Sequence, residues 1–529
     1  MKRNNLLQWS LLLTIPLTLV LAGCNKLLDR KPLQATIDDL NQGKLEGRIL
    51  GMYSNLRDNA GFSTLPWIDF HSIRDDDAQK GSDANDGAEV VTEFDTYQYT
   101  KDDWAPNSYW EDHFAMINAA NTAIFEAQDA NVTDEPSLRN LGEALFFRAY
   151  SYFDLVKTYG EVPLFNQPIF EAKDGIKEKS PIADVYALID SSLTAAATLL
   201  PDDANAYGSG YQGRLTSGAA KTLLAQSKLF QKDWASVVSI CNEIISSGKY
   251  QLVEHFPDIF KEGPNGEGKN GPESIWEMQA WTGQGAASND ANYHGSFWGT
   301  TQQIRQNGAG VEWNLGWGWN TPTAKLESEW PNDDPRKKQT ILYSGQNDGG
   351  PAEGGFGLDI PAYTNPDGQG GLAQRFWSKK LYTGNSPAMR QFTGYVNNNG
   401  GAYWINHRIL RYADVILMLA EAANETGDGA TAATNLELIR NRASGMLGAG
   451  RSIVPPIPFV DQAQMRQAIK DERRWEFAME GYRFYDLVRW DDAVTELGPL
   501  GYTNKARYYP IPQKAIDLSG GVLKQNPEW

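Results

Sequence analysis

From about residue 45 to residue 250, apolar residues recur at spacings of three and four, the signature of helices that bury one stripe. The pattern predicts helices over residues 47–57, 110–128, 138–159, 183–199 and 218–230. Two pairs read as helical hairpins. Residues 219–230 turn at Gln231-Lys232-Asp233 into 234–247, and residues 411–424 turn at Gly427-Asp428-Gly429 into 430–443. Such hairpins suit a tetratricopeptide-like scaffold, although their spacing is too irregular to define an array. The fold class expected is mostly α: a tetratricopeptide-like helical hairpin scaffold carrying a loop-rich, Trp/Gly-rich insertion.

The insertion is the stretch where this texture breaks, about residues 263–404. Glycine and asparagine crowd in and long helical patterns vanish. Nine of the 17 tryptophans fall here: Trp276, Trp281, Trp298, Trp313, Trp317, Trp319, Trp330, Trp377 and Trp404. A disordered linker would be depleted in such side chains. Ordered loops on a rigid frame are where binding residues concentrate. In VEWNLGWGWN (311–320), Trp317 and Trp319 share one face if the chain is extended, and Gly316 and Gly318 leave backbone room.

Near the other end, residues 471–490 (DERRWEFAMEGYRFYDLVRW) read as one long, half-buried helix. Glu480, Arg483, Asp486 and Arg489 would form an i,i+3 ladder of alternating sign. Charges on a half-buried helix need partners, because an unpaired buried charge costs several kcal/mol. The segment is therefore expected to be a structural ion-pair network.

Charge and chemistry narrow the function. The net charge is −18, with no Lys/Arg-rich segment. That excludes the basic footprint of a nucleic-acid binder and disfavours a strongly sulfated ligand. The five histidines are scattered without zinc spacing, and there is no nucleophile elbow and no phosphate-binding loop. No catalytic residue and no cofactor is assigned, and the chain is not expected to be an enzyme. Cys241, in a helical pattern, reads as core packing. The acids Asp75, Asp76 and Asp77 stand before a Gly-Ser turn, where a loop would let them meet ligand hydroxyls. Calcium is the alternative occupant, although no EF-hand loop can be written there. Trp104, between Asp103 and Pro106, has the setting of an exposed stacking platform.

The amino terminus carries an address. Lys2 and Arg3, an apolar run over 11–21 and Leu21-Ala22-Gly23-Cys24 compose a secretory signal ending in a lipobox. Cys24 is then the lipidated first residue of the mature chain. Residues 1–23 would be removed, 24–42 would form anchor and tether, and 43–529 one domain, with its scaffold at about 43–262 and 405–529.

Four stretches in order resemble one family. Residues 471–490 resemble the C-terminal helix of the SusD/RagB family of Bacteroidetes outer-membrane nutrient-binding lipoproteins. Residues 143–164 (EALFFRAYSYFDLVKTYGEVPL), 411–423 (RYADVILMLAEAA) and 509–529 (YPIPQKAIDLSGGVLKQNPEW) resemble its long early helix, its central helix and its closing segment. The resemblance implies a cell-surface, outer-membrane protein that captures an oligosaccharide and passes it to a TonB-dependent transporter. It also implies ligand contacts from the early loop and the insertion: Asp75, Asp77 and Trp104 on one side, Trp313, Trp317 and Arg390 on the other. A peptide-binding lipoprotein of the same family and a helical glycoside hydrolase are the rival readings.

Overall fold

The computed structural model describes residues 42–263, 266–280, 297–306, 312–364, 371–385, 404–445 and 453–529. Cys24, Trp281 and Arg390 lie outside the described residues. The principal helices, numbered here, are α1 (Glu46–Asp58), α2 (Trp104–Asp129), α3 (Glu135–Tyr159), α4 (Ile182–Leu199), α5 (Ser217–Phe230), α6 (Trp234–Ser246), the short α7 (Phe297–Gln302), α8 (Tyr412–Glu425), α9 (Gly429–Ala443), α10 (Gln462–Phe477) and α11 (Arg483–Arg489). Consecutive members pack as hairpins, α2 on α3, α3 on α4, α4 on α5, α5 on α6 and α8 on α9, and the chain closes where α8 packs on both α6 and α10. This is the tetratricopeptide-like scaffold that the three- and four-residue spacing predicts.

Four of these helices, α3, α5, α6 and α9, start from a capping side chain. Asp134 accepts from Ser137 N at 3.0 Å, Thr216 from Ala219 N at 3.3 Å, Asp233 from Ser236 N at 3.3 Å and Asp428 from Thr431 N at 3.0 Å. Each cap answers one backbone N–H that a helix start leaves without a partner. Helix α4 is long and apolar enough to cross a membrane by length and composition. Its Val185, Ile189, Leu193 and Ala196 form a fully buried stripe on the hairpin scaffold, and its other face is rich in small and hydroxylated residues. Cys241 is wholly buried in α6, and burial pushes its thiol pKa up, so it is a packing residue as expected.

Three two-stranded sheets interrupt the helices: β1 (Ala78–Gly81) with β3 (Trp319–Pro322), β2 (Ser274–Met278) with β6 (His407–Arg411), and β4 (Ile341–Tyr343) with β5 (Phe376–Ser378), all antiparallel. Strand β2 drives Trp276 into the main core, edge-on to Phe146 at 5.0 Å and to Tyr150 at 5.5 Å. A smaller core gathers Ile304, Leu315, Leu342, Ile360, Leu372 and Trp377.

The predicted single helix over 471–490 is broken. α10 ends at Phe477, Ala478 turns to extended backbone, and Met479 and Gly481 take φ of +68° and +81° before α11 begins. At Gly481 a side chain would stand 2.8 Å from Trp67 Cη2, so the break requires glycine. With the helix broken, the expected ladder gives way to long-range pairs, and of its i,i+3 steps Asp486–Arg489 is formed at 2.7 Å. Glu480 meets Arg411 and Lys380, Arg483 meets Asp76, and Arg489 also meets Glu421.

At the centre lies Glu476, fully buried and bonded to Arg442, Arg411 and Arg336. Burial alone would raise its pKa; the guanidiniums of Arg442, Arg411 and Arg336 override that and hold it well below the usual carboxylate range. Its stabilising contribution is therefore present above that range and is lost in acid. Replacing Glu476 with Gln takes one shared charge from three buried guanidiniums, which keep Glu273, Glu480 and Asp334 as their other partners. We expect a loss of about 3–5 kcal/mol, read in urea melts at neutral pH; an unchanged midpoint would show the network to be dispensable.

Candidate ligand-binding face

The ribbon β1–β3 joins the early segment to the insertion. Its register pairs Ala78 with Pro322, Gln79 with Thr321 and Gly81 with Trp319. The acid run that precedes β1 is not an exposed loop. Asp75, Asp76 and Asp77 are 5%, 2% and 1% exposed. Asp75 Oδ1 accepts from the backbone N–H groups of Asp77 and Ala78, each at 2.8 Å, and shapes the turn into the strand. Asp76 is held by Arg483 at 2.9 Å and Lys325 at 2.7 Å, and Asp77 by both ends of the Arg474 guanidinium. Asp75 Oδ1 and both oxygens of Asp77 are thus engaged inside the protein, where the sequence suggests an exposed loop. A calcium ion at the run would have to displace these partners. Among the described residues no group of three His, Cys, Asp or Glu side chains is placed to hold a metal ion.

The pairs fasten the ribbon to α10 and α11. What the ribbon presents lies one turn further on. Arg305 donates to Ser82 Oγ at 2.9 Å and forms ion pairs with Asp83 at 2.7 Å and Asp86 at 2.5 Å. The Trp319 indole N–H donates to the same Asp86 carboxylate at 3.2 Å, and Lys80 Nζ donates to Asp83 O at 2.7 Å and Asp86 O. Arg305 and Asp86 both keep about a third of their side chains in solvent.

Beside this polar cluster stands an aromatic pair. Trp317 and Phe297 have ring centroids 5.6 Å apart, tilted by 37°, and Phe297 is 37% exposed while Trp317 is half-buried. Trp317 N donates to Thr300 O at 3.0 Å, which fixes the platform to α7. The glycines around it are obligatory. A side chain at Gly316 would stand 2.2 Å from Thr300 O, and Gly318, at φ +77°, has Arg305 Cβ 2.7 Å from where its own would be. Arg305 thus lies directly against the Trp317 turn.

The remaining expected residues scatter. Trp319 does not share a face with Trp317; it is 3% exposed, roofed by Gly87 and Lys80. Trp313 is half-buried against the smaller core, with its N–H on Gln306. Trp104 is 45% exposed as expected, but it opens α2, and its loop is tied to the C-terminal segment through Gln513 N and Lys101 O at 2.9 Å. Trp276, Trp298, Trp330, Trp377 and Trp404 are core residues. The residues missed in the sequence are Phe297, Asp83, Asp86 and Arg305. Their one signal was proximity to the Gly-Ser turn and to the Trp-Gly repeat.

Below the ribbon, acids crowd without a matching cation. Asp69 is fully buried and neither of its carboxylate oxygens has a hydrogen-bond partner among the described residues. Burial, then the charges of Glu93, Asp95 and Asp103, push its pKa well up. Burial, with a hydrogen bond to Asp103, takes Glu93 to about 9, and burial takes Asp95 to about 7 against the pull of the Lys80 N–H. These groups keep protons that the unfolded chain releases in the ordinary carboxylate range, so their effect on stability is most favourable in acid and declines as pH rises towards 7 and 9. Glu93→Gln should flatten the decline between pH 5 and pH 8 and melt higher than the parent at pH 8. Parallel pH profiles in thermal melts would refute this.

With fold and face in view, similarity to known proteins takes on meaning. Residues 272–507 match the family model described as the SusD family, and residues 52–229 match one described as "Starch-binding associating with outer membrane". The chain belongs to the SusD/RagB family. A curated relative, "SusD-like protein P25" of Formosa agariphila, is 24% identical over 537 residues, 95% of each chain. Among solved structures, "Surface glycan-binding protein A" of Bacteroides fluxus superposes with a TM-score of 0.72 at 23% identity, covering 94% of this chain and 100% of that one. "Surface glycan-binding protein A" of Bacteroides thetaiotaomicron, "in complex with laminarihexaose", gives 0.70 at 22%, covering 93% and 100%. At these identities the structural likeness speaks for the fold.

Proposed function

We propose that the protein is a cell-surface lipoprotein of the outer membrane, anchored through Cys24, that captures an oligosaccharide and delivers it to a partner TonB-dependent transporter. The observation that carries the binding step is the Phe297–Trp317 platform beside Ser82, Asp86 and Arg305. A sugar ring offers an apolar C–H face and a rim of hydroxyls; the aromatic pair takes the first, and the carboxylate and guanidinium take the second. The relative solved with laminarihexaose and another described as a "Laminarin binding SusD-like protein" support a glycan as the ligand class. The family description, with its outer-membrane association, supports the location.

Binding is expected to be weak. One stacked sugar face removes ~70 Å2 of apolar surface, about 2 kcal/mol, and association must offset at least ~4 kcal/mol of lost freedom. Micromolar to millimolar affinity follows, which suits capture followed by transfer. The role is binding and not hydrolysis: the carboxylates of the face are pinned by Arg305, Ser82 and Trp319, so neither is free to act as a general acid.

Calorimetry against a panel of oligosaccharides tests the reading. Trp317→Ala should weaken binding about tenfold or more, roughly 1.4 kcal/mol, read well below a melting temperature that falls because the ring also packs against the main core. Undiminished binding would move the site elsewhere on the molecule. Binding of mixed peptides in place of glycans would favour the peptide-capture alternative. Co-purification of a transporter from native membranes in mild detergent tests the delivery step separately.

A further inference from the structure

The strongest unassigned feature is an apolar patch at the end of the α2–α3 hairpin. Phe170 is 67% exposed, Ile176 44%, and Phe125 and Ile169 38% each. The rings of Phe125 and Phe170 meet edge-to-face at 5.4 Å, Ile169 precedes Phe170 with its N–H on Asn118 Oδ1 at 2.9 Å, and Ile176 stands on the same loop. Scattered exposed apolar residues need no explanation, but a cluster rooted in two elements marks a contact surface.

Its position says what it would contact. The described chain begins at this same end. Asn140, in the second turn of α3, donates to Gln42 O at 2.9 Å and Lys44 O at 2.7 Å, and Lys44 N donates to Ser137 Oγ at 2.8 Å. Arg48, in the first turn of α1, pairs with Glu126, the residue next to Phe125. The chain therefore enters the fold at the end of the α2–α3 hairpin where Phe125 lies. Cys24 is 18 residues before Gln42 in the sequence. At ~3.4 Å per residue the link reaches roughly 60 Å at most, long enough for an acylated Cys24 to bring the bilayer to this end of the molecule.

We propose that the Phe125–Ile169–Phe170–Ile176 patch docks on the lipid surface into which the anchor inserts. It would set the angle at which the tethered protein stands on the membrane. The proposal rests on the lipoprotein reading above. The three lysines of the patch loop are engaged, Lys173 with Glu171 at 2.7 Å, Lys177 with Leu164 O at 2.6 Å and Lys179 with Asn526 Oδ1 at 2.9 Å. The contact is thus apolar in origin and insensitive to salt.

The test uses the lipidated full chain in phosphatidylethanolamine–phosphatidylglycerol vesicles. Cys241 is buried, so a cysteine introduced at Phe170→Cys takes a spin label alone. The control is Leu518→Cys, 73% exposed beside Lys514, which pairs with Glu111 near the opposite end of α2. α2 spans 26 residues, which at ~1.5 Å per residue is ~39 Å. We expect the ratio of oxygen to nickel-complex collisions at 170 to rise several-fold on vesicles, at low and high salt alike, and to stay flat at 518. Equal, water-like values at both positions would overturn the proposal. So would protection at 170 that appears on addition of the transporter but not on lipid alone, which would assign the face to a protein partner. Anchoring is read separately, as retention of the parent but not Cys24→Ser on the vesicles. Were the parent not retained, a nickel-chelating lipid holding a tagged amino terminus would put the same question to residue 170.

Discussion

A charge taken out of water must be answered inside the protein, and that constraint organises this chain. Arg474 and Arg483 sit on either side of the break after α10, and both reach the acid run before β1, some four hundred residues away in sequence. Their pairing fixes the base of the β1–β3 ribbon, and the ribbon carries Ser82, Asp83 and Asp86 to Arg305. The break itself is part of the same arrangement. A continuous helix would have sent Glu480 and Arg483 along one stripe; the positive φ at Met479 and Gly481 sends one to Arg411 and Lys380 and the other to Asp76.

Such pairs are poor sources of net stability, since desolvation offsets most of the Coulomb gain. Their effect is specific placement. Glu476 has Arg442, Arg411 and Arg336 around it, and each arginine comes from a different element: α9, β6 and the short helix after Asp334. An apolar residue in its place could pack, but it could not dictate which three elements converge. The helical scaffold and the insertion are locked in register by charge, while the apolar stripes of α2 to α6 supply the bulk of the driving force.

The scaffold was legible in the sequence because helical periodicity is a local property. The hairpins at 217–246 and 412–443 fall within a residue or two of where the spacing puts them. The proposed ligand face draws on the regions the sequence suggested but, Trp317 apart, on different residues. Asp75 and Asp77 look like solvated loop acids, and nothing within the run reveals that Arg474 waits for Asp77. Trp317 and Trp319 are two apart, which suggests a shared face, yet Gly318 at φ +77° turns the backbone between them, so one ring faces Phe297 and the other lies under Lys80 and Gly87. Phe297 was missed because its partner ring is twenty residues away and the contact is tertiary.

The same reasoning explains why Asp83 and Asp86 are better placed than Asp75 and Asp77 to meet a ligand. All four are acids on one short segment, and all four have hydrogen-bond donors within the protein. The difference lies in what remains exposed: Asp77 is enclosed by Arg474, whereas Asp86 shares Arg305 with Asp83 and keeps a third of its side chain in water. A carboxylate oriented by three donors and still open to solvent is preorganised for a hydroxyl without a further entropic penalty. The buried pair holds the ribbon still, and the half-exposed pair, at the ribbon's tip, profits from that stillness.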